Sequence, residues 1–170
     1  SDLKVIEDII KTNNHQCYIA NDNSPQQVVL SGLKKNIDLF SENLDKLKIK
    51  NIKLNVSAPF HCKLMKTATE IMRDKIINLD FQNIRNPLIS NFTAKPSIST
   101  SEIKNLLVSQ IEGRVRWLES VKFMINNGTK NFIEIGPGKV LSGLIKRINK
   151  NVNFKSINSV QDIKELNLNV

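Results

Sequence analysis

Helical and strand-like spacings of apolar residues take turns along this chain, and that alternation restricts it to an α/β fold. Leu3, Ile6, Ile9 and Ile10 recur at helical intervals and predict an amphipathic helix over residues 2–12. Gln16-Cys17-Tyr18-Ile19-Ala20 reads as a short strand. Asn21-Asp22-Asn23-Ser24-Pro25 reads as a turn, because Asn and Asp bond their own backbone and Pro fixes φ. Gln27 to Gly32 is the returning strand. Ile37, Phe40, Leu44 and Leu47 predict a helix over 34–47, and alternating Ile52, Leu54 and Val56 predict a strand over 51–57.

The first sixty residues thus read α-β-β-α-β, a ferredoxin-like βαββαβ unit without its first strand. Beyond Pro59 the pattern changes. Leu64, Ala68, Ile71, Met72, Ile76 and Leu79 mark a helix starting near residue 62, and residues 87–91 form a short strand followed by a loop. Ser99 and Glu102 fit a capping box ahead of the helix stripe Ile103, Leu106, Leu107 and Ile111. A helix through Trp117, Leu118, Val121 and Met124 stops at Gly128, a natural C′ residue. Phe132 to Ile135 is apolar on both faces, as in the centre of a parallel sheet. Gly136-Pro137-Gly138 turns the chain into a helix carrying Leu141, Leu144, Ile145 and Ile148. A strand over 152–157 and a short tail follow.

With 170 residues, 40% hydrophobic and 24% charged, the chain is one soluble domain or a piece of a larger one. No apolar run approaches the roughly 20 residues that cross a bilayer, and the first residues lack the apolar stretch of a signal peptide. The net charge is +9, but lysines are spread throughout and arginines number five. No dense basic cluster marks a nucleic-acid patch, so the charge reads as a solvated basic surface. Cys17 and Cys62 do not make a disulfide framework, which favours a reducing, cytoplasmic setting. Neither these nor His15 and His61, the only histidines, have metal-ligand spacing.

His61, in Ser57-Ala58-Pro59-Phe60-His61-Cys62, stands at a strand-to-helix junction, where a side chain is held rigidly against a cleft and can serve as a general base. A structural histidine occupies such a position too. The chain offers no G-x-S-x-G nucleophile elbow: Ser31 and Ser142 lack the flanking glycines. Cys62 diverges from His61 along the backbone and reads as a small buried apolar residue. Gly136-Pro137-Gly138-Lys139 lacks P-loop spacing and reads as a tight turn.

Taken together, Asn23-Ser24-Pro25 with Gln27 to Gly32, Val56 to Cys62 with Leu64-Met65, and Ser90-Asn91 with Ala94-Lys95-Pro96 form an ordered set. Gln110-Ile111, Val115-Arg116-Trp117, Glu119-Ser120 and Glu134 to Leu141 continue it. The set resembles the malonyl-CoA:acyl carrier protein transacylases over nearly the whole chain. The resemblance implies a ferredoxin-like small subdomain over 1–58 and the C-terminal part of an α/β-hydrolase-like large subdomain over 59–170. It implies malonyl transfer from malonyl-CoA, through a serine, to the phosphopantetheine thiol of acyl carrier protein, both being substrates, with no cofactor and no metal.

In that family a histidine matching His61 is the base, and a backbone carbonyl matching that of Gln110 orients it. A phenylalanine matching Phe60 goes with preference for malonyl over branched units, and Asn23 matches an asparagine facing the cleft. The nucleophilic serine, the malonyl-binding arginine, the oxyanion hole and the first small-subdomain strand all match positions upstream of Ser1. The expected partners are therefore acyl carrier protein, a coenzyme A thioester and the N-terminal half of the same enzyme, with neither nucleic acid nor membrane. The second reading is a non-catalytic truncated homologue that binds acyl carrier protein.

Overall fold

The computed structural model describes residues 3–12 and 16–166. Residue 2 of the predicted first helix and His15 lie outside them. The chain separates into two units between Ser120 and Val121.

In the first unit, α1 (Leu3–Thr12) precedes a hairpin of β1 (Cys17–Ser24) and β2 (Gln27–Gly32), and α2 (Lys34–Lys46) follows. Ile6, Cys17, Phe40 and Leu44 form the buried centre, with Ile9, Val28, Leu30 and Ile37 packed round it. Helical and strand periodicities meet here on one apolar cluster, as the spacing predicts. Burial pushes the Cys17 thiol up to about 11, so it stays protonated and behaves as a core apolar group.

Two expectations fail in the first sixty residues of this unit. Asn21 to Ser24 belongs to β1 rather than to a turn, and the turn shrinks to Pro25 and Gln26. The cause is pairing on the strand's second edge. Asp22 N donates to the Val115 carbonyl at 2.8 Å, and Val115 N donates to the Ala20 carbonyl at 2.8 Å. Asp22 and Ser24 are consequently only 3% and 2% exposed, and long-range pairing overrides local turn propensity. Register shifts against β2 leave Ala20 and Asn23 as the extra residues of two bulges. The second failure is the strand over 51–57, which pairs with no strand among the described residues. Ile52, Leu54 and Val56 are 75%, 59% and 60% exposed. Alternation alone does not make a strand; a neighbouring backbone must take up its hydrogen bonds.

A 3₁₀ turn (Lys63–Met65) leads into α3 (Lys66–Ile77), which packs on α4 (Thr100–Glu112). Lys104 of α4 ties them, donating to the Ile77 carbonyl at 2.8 Å with its ammonium 5.5 Å from the Phe81 ring centre. Between the helices lie β3 (Leu88–Ile89) and the unanticipated β4 (Pro96–Ser97), an antiparallel pair. Ser99 caps α4 by accepting from Glu102 N, but the Glu102 carboxylate accepts from the Ser97 hydroxyl instead of closing the predicted box. The divide between the units falls within α5 (Trp117–Asn126).

The second unit carries β5 (Asn131–Ile135), α6 (Val140–Ile148), β6 (Asn153–Ile157) and α7 (Val160–Lys164). β5 and β6 are parallel, with α6 in the connection. Helix α5 ends as predicted: Gly128, at φ 92°, donates to the Ile125 carbonyl, and Thr129 N to that of Met124. The expected plain tail contains α7, opened by a Ser159–Asp162 capping box. No helix among the described residues is long and apolar enough to cross a membrane.

Candidate active site

His61 sits where the chain leaves the unpaired segment and enters the 3₁₀ turn. Phe60 N donates to the Ala58 carbonyl at 3.0 Å, and Met65 N donates to the Cys62 carbonyl at 2.9 Å. Between these bonds His61 adopts φ 58°, the left-handed region. Among the described residues two other non-glycine residues do so, and each has a local reason. Lys48 is the C′ residue of α2, and Ala94 closes the β3–β4 turn by donating to the Ser90 carbonyl at 2.8 Å. His61 is the third residue of the Pro59–Cys62 turn. Holding it there costs on the order of 1–3 kcal/mol, and strain of this kind gathers at functional sites.

The ring explains what the backbone achieves. His61 Nδ1 lies 2.9 Å from the backbone carbonyl oxygen of Gln110. Gln110 is in the last turn of α4, where helix carbonyls have no partner within the helix. A carbonyl only accepts, so the proton of this bond is on Nδ1. In the neutral ring Nε2 then keeps its lone pair and is the free basic atom. The negative end of the α4 dipole also faces the ring. Helix α4 is anchored by the Ser99 cap and by Ile103 and Val108, 3% and 1% exposed.

Gln110 lines a recess of about 210 Å3 with Leu88, Ile89, Ser90, Leu106 and Leu107, and His61 is not among its lining residues. Phe60, directly before the histidine, is 46% exposed. Asn23 is half-buried at the bulge of β1, whose neighbour Asp22 is pinned to Val115. No hydrogen bond among the described residues joins the Asn23 side chain to the His61–Gln110 pair. Cys62, which the sequence presents only as a small apolar residue, is 1% exposed and donates its thiol to the Pro59 carbonyl at 3.1 Å. Nothing in the sequence marks that bond.

The glycine loop after β5 is a turn. Gly136 and Gly138 take φ 137° and 93°, and the Glu134 carboxylate accepts from Leu141 N at 2.9 Å and Ser142 N at 2.8 Å. The chain's own carboxylate thus fills the α6 N-terminus that a phosphate would otherwise occupy. Partial burial raises Glu134, but the hydrogen bonds from Ser142 and Leu141 together outweigh it and hold the group below its ordinary range. No group of His, Cys, Asp or Glu suited to a metal ion occurs among the described residues.

No family model matches the chain. Individual relatives do. It is 37% identical over 175 residues to the malonyl CoA-acyl carrier protein transacylase of Bacillus subtilis, covering 98% of this chain and 55% of that protein. The Staphylococcus aureus protein of the same name is 40% identical over 151 residues, covering 88% and 49%. The crystal structure of the Bartonella henselae acyl-carrier-protein-S-malonyltransferase superposes with a TM-score of 0.91 at 36% identity, over 97% of this chain and 54% of the other. The chain is a homologue of the malonyl CoA-acyl carrier protein transacylases. It spans about half the length of these transacylase relatives. Another transacylase neighbour, solved in complex with its type II PKS acyl-carrier protein, has a TM-score of 0.90 at 31% identity.

Proposed function

We propose that the chain is the histidine-bearing C-terminal part of a malonyl-CoA:acyl carrier protein transacylase. The observation that carries this reading is the bond from a left-handed His61 to the Gln110 carbonyl, which leaves Nε2 free as a base.

In the reaction, Nε2 takes the proton of a serine hydroxyl as that oxygen bonds to the malonyl thioester carbon. The carbon–sulfur bond breaks, and the imidazolium gives its proton to the departing coenzyme A sulfur. In the second half the same nitrogen takes the proton of the carrier's pantetheine thiol, the sulfur attacks the malonyl ester, and the proton returns to the serine. The serine, the malonyl-binding arginine and the oxyanion hole come from the part of the relatives' length that this chain does not span. Gln110 acts through its backbone, holding the ring's tautomer and facing the positive charge that forms on it with a helix C-terminus. Phe60 borders the acyl group and disfavours branched units; Asn23, re-aimed by its bulge, faces the cleft. The basic surface suits coenzyme A phosphates and an acidic carrier protein.

On this reading residues 1–58 are the ferredoxin-like small subdomain and 59–170 belong to the hydrolase-like large one. The last strand of a βαββαβ unit lies beside its first, so the exposed alternation over 51–57 is accounted for by a strand preceding α1. Incubating the product of the complete gene with malonyl-CoA and holo acyl carrier protein tests the function by the carrier's intact mass. A malonyl mass gain supports it. If the carrier binds and gains no mass, the chain belongs to a non-catalytic carrier-binding homologue.

A further inference from the structure

We infer that Cys62 is a positioning residue for His61: its buried thiol latches the Pro59–Cys62 turn and keeps the histidine in the backbone conformation that aims its ring at Gln110. The inference rests on the proposed role of His61 and concerns a side chain that this role leaves unused.

Three observations meet at Cys62. Its thiol donates to the Pro59 carbonyl at 3.1 Å, closing a short loop that contains Phe60 and His61. The Cys62 side chain is 1% exposed, so water does not reach the thiol to replace the bond. The residue inside the loop, His61, is at φ 58°, where an L residue returns to ordinary backbone angles unless its surroundings hold it. One end of His61 is held by the ring's bond to Gln110, the other by the latch. Because Cys62 also caps the 3₁₀ turn Lys63–Met65 through its own carbonyl, its extended backbone at φ −148° fixes the exit from the loop. Cys62 therefore touches no reacting atom and acts through its neighbour.

Two pairs of variants in the complete gene product separate a latch from a space-filling role. Cys62→Ser keeps a donor that Cys62→Ala lacks. Cys62→Thr and Cys62→Val match in shape and differ in the donor, so one pair remains informative if a member of the other fails to fold. The readouts are kcat and KM for malonyl transfer, and the imidazole 15N resonances of His61 in alkaline buffer, assigned by their loss in His61→Gln. The latch predicts a kcat lower by about tenfold in Ala and Val at near-constant KM, as for a slightly misplaced base. It further predicts that Ser and Thr recover most of that loss, and that Ala and Val lose the single Nδ1–H tautomer pattern that Ser and Thr retain. Ala matching Ser, with Val matching Thr, in rate and resonances would overturn it. A wild type that transfers no malonyl refutes the proposed function, while the resonances still decide the latch.

Discussion

Gln110 contributes a main-chain oxygen rather than a side chain, and this separates what its substitution does from what its displacement does. Gln110→Ala keeps the helix and the carbonyl, so kcat is expected to stay within about threefold of wild type; a loss on the order of 10²-fold would mean that the side chain takes part. Phe60, 46% exposed, does little for stability. Phe60→Ser is expected to relax discrimination against methylmalonyl-CoA in competition with malonyl-CoA, with a change in stability of about 0.5 kcal/mol or less. Unchanged selectivity would reduce Phe60 to a packing residue. At this scale the sequence singles out His61 through the resemblance carried by Val56 to Cys62, while the strand expected ahead of it does not form. The left-handed backbone of His61 and the Cys62 bond were not legible, because side-chain direction in a loop depends on bonds that residue spacing does not encode.

Helix ends give the sharpest test at the level of elements. The α2 terminus closes as α5 does, with Lys48 N donating to the Asp45 carbonyl and Ile49 N to that of Leu44, but with lysine at φ 56° where α5 has Gly128. Lys48→Gly is expected to stabilise the protein by about 0.5–1 kcal/mol and Gly128→Ala to destabilise it by about 1 kcal/mol, read from denaturant midpoints. Glu134 links β5 to α6 with a sign fixed by its depressed titration. Its stabilising bonds are fully present above the unfolded-state carboxylate value and are lost as pH falls through the lower, folded value. Acid unfolding of wild type should therefore show a contribution in that window that Glu134→Gln lacks; identical pH dependence would contradict it. The Gly128 stop and the Ser99 cap were readable because their chemistry is local. The turn over 21–25 and the strand over 51–57 were misread for one reason. Both depend on a distant backbone: Val115 is present for β1, and among the described residues no strand pairs with residues 52–56.

For the whole molecule, the alternation of periodicities was enough to place the chain among α/β folds, and the ordered motif set led to its relatives. Apolar side chains that ordinarily lie inside are exposed in each unit: Ile52 and Leu54 in the first, Ile135 and Val140 in the second. Parallel strands are normally covered on both faces, yet Ile133 and Ile135 of β5 are 44% and 80% exposed. The 170-residue chain by itself is expected to bind a hydrophobic dye and to self-associate on size exclusion. A monodisperse monomer without dye binding would mean that these faces need no cover. Malonyl transfer by the proposed route turns on His61. The direct measurement is the rate of malonyl mass gain on holo acyl carrier protein, with the complete gene product as wild type and as His61→Ala. A fall on the order of 10²-fold or more is expected; near-normal turnover in the variant would contradict the role of His61 as the base.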